Sequence, residues 1–230
     1  MSIVDKEFGK IKIRKNKLAR SVKLSVGVDG SLRASIPYYS PEFAIRRLVN
    51  GNRDEIRKML ATHNAKNSYQ DGDLIGKTHT LFLRKFSGEE IKISNEGNQI
   101  LVQIPQELAF ENQLVQSEIR KTVSKILRKQ AKAYLPRRID FLAEKYGFSF
   151  EKLRFSHTGT RWGSCSSSGT ISLNIALMNL PHHLIDYVII HELCHTRQMN
   201  HSSKFWQEVE KYCPNYKKCV QEIKQFSPTI

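Results

Sequence analysis

The chain has 230 residues, 40% of them hydrophobic, enough to bury one large core or two small ones. Its start, MSIVDKEFGK, carries no apolar signal region, and no stretch approaches the roughly 18 unbroken apolar residues of a membrane span, so a cytoplasmic protein with no membrane partner is expected. Lys and Arg outnumber Asp and Glu by 37 to 22, a net charge of +15 that keeps nucleic acid in view as a partner, while the four cysteines lack the density and CxxC spacing of a disulfide-stapled secreted scaffold.

From Lys10 to about Pro105, apolar and polar residues alternate in short runs. IKIRK, SVKLSVGV, LRASIP, HTLFLRKF, IKISN and QILVQIP read as antiparallel strands. The turns VDGS at 28–31 and NEGN at 95–98 suit hairpins, because Gly admits the positive φ such turns need. Between them, Ser40-Pro41 opens a helical stretch to about His63, with Ile45, Leu48, Val49, Ile56 and Leu60 as its apolar positions and Asn50-Gly51 interrupting it.

After Pro105 the period lengthens. Val115, Ile119, Val123, Ile126 and Leu127 recur at helical spacing, Ile139, Leu142 and Tyr146 resume after Pro136, and Gly147 is placed to end the helix. A long helix kinked at the proline is expected. Its other face is basic, with Arg120, Lys121, Lys125, Arg128, Lys129, Lys132, Arg137 and Arg138, and reads either as a solvated face or as a nucleic-acid track. KLRFSHTGTRWGSCSSSGTISLNIAL follows as two strands around a Ser- and Gly-rich turn, and Pro181 begins the next helix. No internal repeat shows in the sequence. The expectation is an α+β protein with a β-rich amino-terminal domain over 1–105, containing one helical segment, and a second domain over 106–230.

The run from Pro181 to about Met199, PHHLIDYVIIHELCHTRQM, has helical length, with Leu184, Val188, His191 and His195 on one side. Four residues advance a helix by about 40° and 6 Å, so imidazoles at 191 and 195 can converge on one ion. Zinc takes neutral imidazole, and a catalytic zinc keeps three protein ligands with a water in the fourth place. Were the helix to run on to His201, that ring would lie about 15 Å along the axis from His191, so the helix must stop. Asn200 is suited to the stop, because Asn tolerates the left-handed conformation found past helix ends. Ser202 or Ser203 can then cap a new helix through FWQEVEKYC.

Glu192 lies about 100° around the helix from His191, so it does not share the ligand direction but can reach the water and act as general base. Glu208 or Glu210 is an alternative third ligand, and Cys213 is the candidate fourth ligand of a purely structural site. Cys194 reads as a small buried residue, Trp162 and Trp206 as packing, His182 and His183 as a polar first turn. His63, His79 and His157 have no partner motif.

HELCHTRQMNHSSKFW at 191–206, with RWGSC at 161–165, ISLN at 171–174 and the Pro seven residues later, resembles the YgjP-like metallopeptidase family, a relative of the SprT and WLM zinc metalloproteases. The resemblance implies a zincin-like metallopeptidase domain at the carboxyl end, Zn2+ held by His191, His195 and His201, and Glu192 catalytic. It also implies that the RWGSC to LN hairpin flanks the active-site helix, where an edge strand can accept an extended peptide and Arg161 or Asn174 can orient substrate or the turn. Gln198 stands where the longer metzincin pattern has glycine.

The function expected is a zinc-dependent metallopeptidase acting on peptide or protein. Two other readings stay open: a metal-dependent hydrolase of a phosphate-bearing or nucleotide substrate, and a nucleic-acid-associated protease docking through the basic helix of residues 120–138.

Overall fold

In the first forty residues the alternation becomes four strands, β1 (Ser2–Asp5), β2 (Gly9–Asn16), β3 (Lys23–Val26) and β4 (Leu32–Pro37), in a sheet ordered β1-β2-β4-β3. The computed structural model describes residues 2–27, 31–41 and 43–230, with backbone alone for 63–67, so the expected turn at 28–31 lies almost wholly outside the described residues, as does the side chain of His63. One face of the sheet buries Ile3, Ile11, Ile13, Leu32, Ala34 and Ile36 against Ile45, Val49 and Ile56 of two helices, α1 (Phe43–Gly51) and α2 (Arg53–Asn67). The helical stretch is thus two helices. Asn52 makes the break, its Nδ2 donating to the Leu48 carbonyl at 2.8 Å.

A second sheet follows from β5 (Leu74–Ile75), β6 (His79–Phe86), β7 (Lys92–Glu96) and β8 (Gln99–Pro105), ordered β5-β6-β8-β7. The turn at 95–98 is a hairpin as expected, with Gly97 at φ 58° joining antiparallel β7 and β8. The two sheets share one strand order and one set of senses: outer pairs antiparallel, central pair parallel. The purely antiparallel expectation is therefore corrected at β2–β4 and β6–β8. Alternation dictates which face a strand buries and carries no information about the direction of its partner. This repeated topology has no trace in the sequence.

Contacts divide the chain into two compact units, Met1–Tyr69 with Glu107–Ser117, and Gln70–Gln106 with Glu118–Ile230. Helix α3 (Gln113–Tyr146) continues through Pro136 for 34 residues, burying Val123, Leu127, Leu135 and Ile139. Gly147 ends it at φ 67°, and the Phe148 N–H donates back to the Ala143 carbonyl at 2.8 Å. On its basic face Lys121 pairs with Glu118 and Arg138 with Asp186, while Lys125, Lys129, Lys132 and Arg137 are exposed. No described helix is long and apolar enough to cross a membrane.

In the second unit, β9 (Lys152–Ser156), β10 (Gly163–Cys165) and β11 (Thr170–Asn174) form a sheet ordered β10-β11-β9. The expected hairpin is β10–β11, and KLRFS adds a third strand parallel to β11. Helices α4 (His182–His195), α5 (Ser203–Tyr212) and α6 (Tyr216–Glu222) complete the unit.

Candidate metal centre

Helix α4 is apolar almost all round, and Leu184, Ile185, Val188, Ile189, Ile190 and Leu193 are buried. Such a helix lies inside its unit, so polar groups in its last turns are held away from bulk water. His191, Glu192 and His195 occupy those turns.

The helix stops at His195, four residues before the expected end. Thr196 closes it, its N–H and Oγ1 both donating to the Leu193 carbonyl at 3.0 and 2.8 Å. Asn200 does not supply a left-handed stop, for no described non-glycine residue has positive φ. The reversal is spread over several residues instead. Arg197 donates to Glu208 at 2.7 Å, to the Tyr212 hydroxyl at 3.0 Å and to the Gly147 carbonyl, tying the loop to two helix ends. Ser202 caps α5 as expected, its hydroxyl accepting from the Phe205 N–H at 3.4 Å.

This turn brings His201 back onto α4. The Nε2 atoms of His191 and His201 are 3.1 Å apart, and the ligand atoms of His191, His195 and His201 all lie within 4.8 Å of one another. Phe205 forms the floor, stacked on His195 at 4.5 Å between ring centroids, and Trp206 stacks on His201 at 5.7 Å. Trp206 in turn stacks on Tyr216 at 5.3 Å, so the exposed His201 is backed by a fixed aromatic pair.

Three observations test whether a metal fits. His195 Nδ1 donates to the Gln198 carbonyl at 3.1 Å, which puts its proton on that nitrogen and leaves the Nε2 lone pair to the cluster. Burial holds the His195 pKa below its usual value and pushes that of His191 down to about 3, so both rings are neutral, the form that binds a metal. Two ring nitrogens at 3.1 Å must share one proton or one cation, and a tetrahedral zinc at about 2 Å from each nitrogen needs them roughly 3.3 Å apart. The residues fit zinc.

Glu192 is 5% exposed, and its Oε2 is a buried atom with no hydrogen-bond partner among the described residues. Burial pushes its pKa up to about 8, with the charge of Arg161 acting in the opposite direction. Gly163 of β10 makes room for the carboxylate. A Cβ built there would stand 2.6 Å from Glu192 Oε1. Arg161, Trp162, Tyr187, His191 and Glu192 line a cavity of about 270 Å³ at this point. Burial also raises the Tyr187 pKa, which keeps its hydroxyl protonated beside His191.

Asn174 is structural. Fully buried, it donates through Nδ2 to the carbonyls of Thr158, Arg161 and Pro228 at 2.7 to 3.1 Å and accepts from the Ala176 N–H at 3.0 Å, pinning the strand that carries Gly163. Trp206, read as packing, and Gly163 and Phe205, to which sequence reasoning gave no role, bear directly on the site. Only the motifs RWGSC and NHSSKFW hinted at them.

The other candidates fall elsewhere. Glu208 is held by Arg197, and neither Glu210 nor Cys213 joins the histidine cluster. His182 meets the Tyr134 hydroxyl at 3.0 Å, His183 meets Glu222 at 2.9 Å, His79 contacts Thr78 and Gln130, and His157 contacts Ser124. Cys194 is buried, and all four cysteines are free.

A family described as YgjP-like, metallopeptidase domain, matches residues 20–226. Similar solved structures include the metallopeptidase zymogen abylysin of Pyrococcus abyssi, 28% identical over 40% of this chain and 93% of that one, with a TM-score of 0.36. Another is the metallopeptidase zymogen jannalysin of Methanocaldococcus jannaschii, 22% identical over 38% of this chain and 95% of that one, with a TM-score of 0.33. No curated protein matches the chain.

Proposed function

The chain belongs to the YgjP-like metallopeptidase family, and from that premise we propose that it is a zinc-dependent, zincin-like peptidase with His191, His195 and His201 as ligands and Glu192 as general base. One observation carries the reading: three imidazoles converge beside a buried carboxylate oxygen that has no hydrogen-bond partner among the described residues. A group retained for folding would be satisfied, because leaving a buried acceptor unpaired costs about 1–3 kcal/mol. When bound, zinc supplies a Lewis acid that lowers the pKa of water and polarises a carbonyl.

The chain's own residues do the rest. Glu192 Oε2 takes the proton from the attacking water and hands it to the leaving nitrogen. Gly163 lets that carboxylate stand against β10. Among the described residues β10 pairs only with β11, so its other edge offers backbone N–H and carbonyl groups to an extended peptide. The cavity under Arg161 and Trp162 is of a size for one substrate side chain. Four free thiols agree with a cytoplasmic location.

The test is a fluorogenic peptide library with zinc-loaded protein, run beside Glu192→Gln and beside a panel of nucleoside triphosphates. The expected result is peptide cleavage by the parent, none by Glu192→Gln, and retained zinc in both. Triphosphate hydrolysis without peptide cleavage would transfer the site to a phosphate-bearing substrate, and undiminished cleavage by Glu192→Gln would remove it from the mechanism.

A further inference from the structure

The first sheet has two faces of opposite character. Ile3, Ile11, Ile13, Leu32, Ala34 and Ile36 face α1 and α2, and the residues between them face away. On that second face stand Lys10, Lys12 and Arg14 of β2, Arg33 of β4 and Lys23 of β3, all exposed. Side chains two apart on a strand are about 6.8 Å apart and neighbouring strands about 4.8 Å. The register sets Lys12 opposite Arg33, and Arg14 and Lys23 each opposite Ser35, so the five cations form one contiguous field.

No described acidic residue shares this face. Asp5 and Glu7 are drawn to the helical side by Arg53 and Arg57, at 3.1 and 2.5 Å. The topology does not impose this arrangement. The second sheet, with the same order and senses, sets Phe82, Leu101 and Gln103 on its corresponding face and pairs Arg84 with Asp71 at 2.9 Å. At the end of β4 stand Tyr38 and Tyr39, the latter 94% exposed, with the Lys15 and Lys17 ammonium groups 5.8 and 5.9 Å from the Tyr38 ring.

We propose that this open sheet face binds single-stranded nucleic acid, with Lys10, Lys12, Arg14, Lys23 and Arg33 on successive phosphates and Tyr39 stacking a base at the rim. A flat cationic field with aromatics at its edge is what a strand of phosphates and unpaired bases requires. An anionic membrane is the weaker occupant: Val4 is the one large apolar side chain that the strands expose on this face, and the other exposed apolar groups beside it, Leu18 and Tyr39, stand only at the rim. The proposal uses no residue of the metal site and stands whether or not that site cleaves peptides.

Fluorescence anisotropy of the full-length protein with a labelled 20-nucleotide single strand, across a salt series, tests it. Five phosphate contacts give a slope of log K against log salt of about −3.5, and Lys10→Glu/Arg14→Glu/Lys23→Glu flattens it by about 2 units. That variant is expected to bind about 30-fold more weakly at low salt, and Lys125→Glu/Lys129→Glu/Lys132→Glu on α3, with the same charge change, within about threefold of the parent. Neutral Lys10→Gln/Arg14→Gln/Lys23→Gln, checked by thermal melt, is expected to weaken binding about tenfold and guards against misfolding of the reversed one. Absence of binding, loss only in the α3 variant, or capture by phosphatidylserine vesicles but not by nucleic acid overturns the proposal.

Discussion

Helix α4 carries polar side chains on two sides and treats them differently. Toward a cavity of about 810 Å³ lined by residues of α3 and α6, Asp186 accepts from two nitrogens of Arg138 at 2.6 and 2.5 Å, and His183 meets Glu222 at 2.9 Å. Toward β10, Glu192 Oε2 is buried without a partner among the described residues. The first side is satisfied within the chain, as groups kept for folding are. The second is left open at a cost, which is the mark of groups kept for something the chain does not itself contain.

The same carboxylate-to-amide exchange on the two sides breaks the comparison if it is wrong. Glu192→Gln should lower turnover about 1,000-fold while leaving zinc content and melting temperature unchanged or slightly raised, read by peptide cleavage, metal analysis and calorimetry. Gly163→Ala, whose new Cβ displaces the Glu192 carboxylate, should cost about 100-fold in turnover with zinc retained. An unchanged rate would show that the carboxylate position does not matter. Asn174→Ala strands three carbonyls and should cost about 3 kcal/mol in denaturant unfolding, loosening the loop that carries Arg161. The smallest effect belongs to the paired side, where Asp186→Asn should cost about 1–2 kcal/mol of stability with turnover intact. Were Asp186→Asn to lose activity and Glu192→Gln to lose only stability, the two sides would have been assigned the wrong way round.

What the sequence made legible was local. His191 and His195 are four residues apart on a strongly apolar helix, so their convergence follows from helical geometry alone. The alternation of Ile11, Ile13, Leu32, Ala34 and Ile36 gave the buried face of the first sheet. The need for a reversal before His201 was also readable, but its mechanism was not. It rests on Arg197 reaching Glu208, Tyr212 and Gly147, contacts that span up to 50 residues, and the same Arg197 engages the glutamate that had read as an alternative ligand. Gly163 looks like a turn glycine in RWGSC until Glu192, 29 positions later, is found against it. The parallel central pairs were invisible because a strand alternates identically whichever way its neighbour runs.

X-ray absorption at the zinc edge of the loaded protein tests the central claim most directly. The account predicts three imidazole nitrogens and one exchangeable oxygen, all at about 2.0–2.1 Å, with one nitrogen lost in His201→Ala. A fourth protein ligand, a sulfur in the shell, or a shell unchanged by His201→Ala would contradict it.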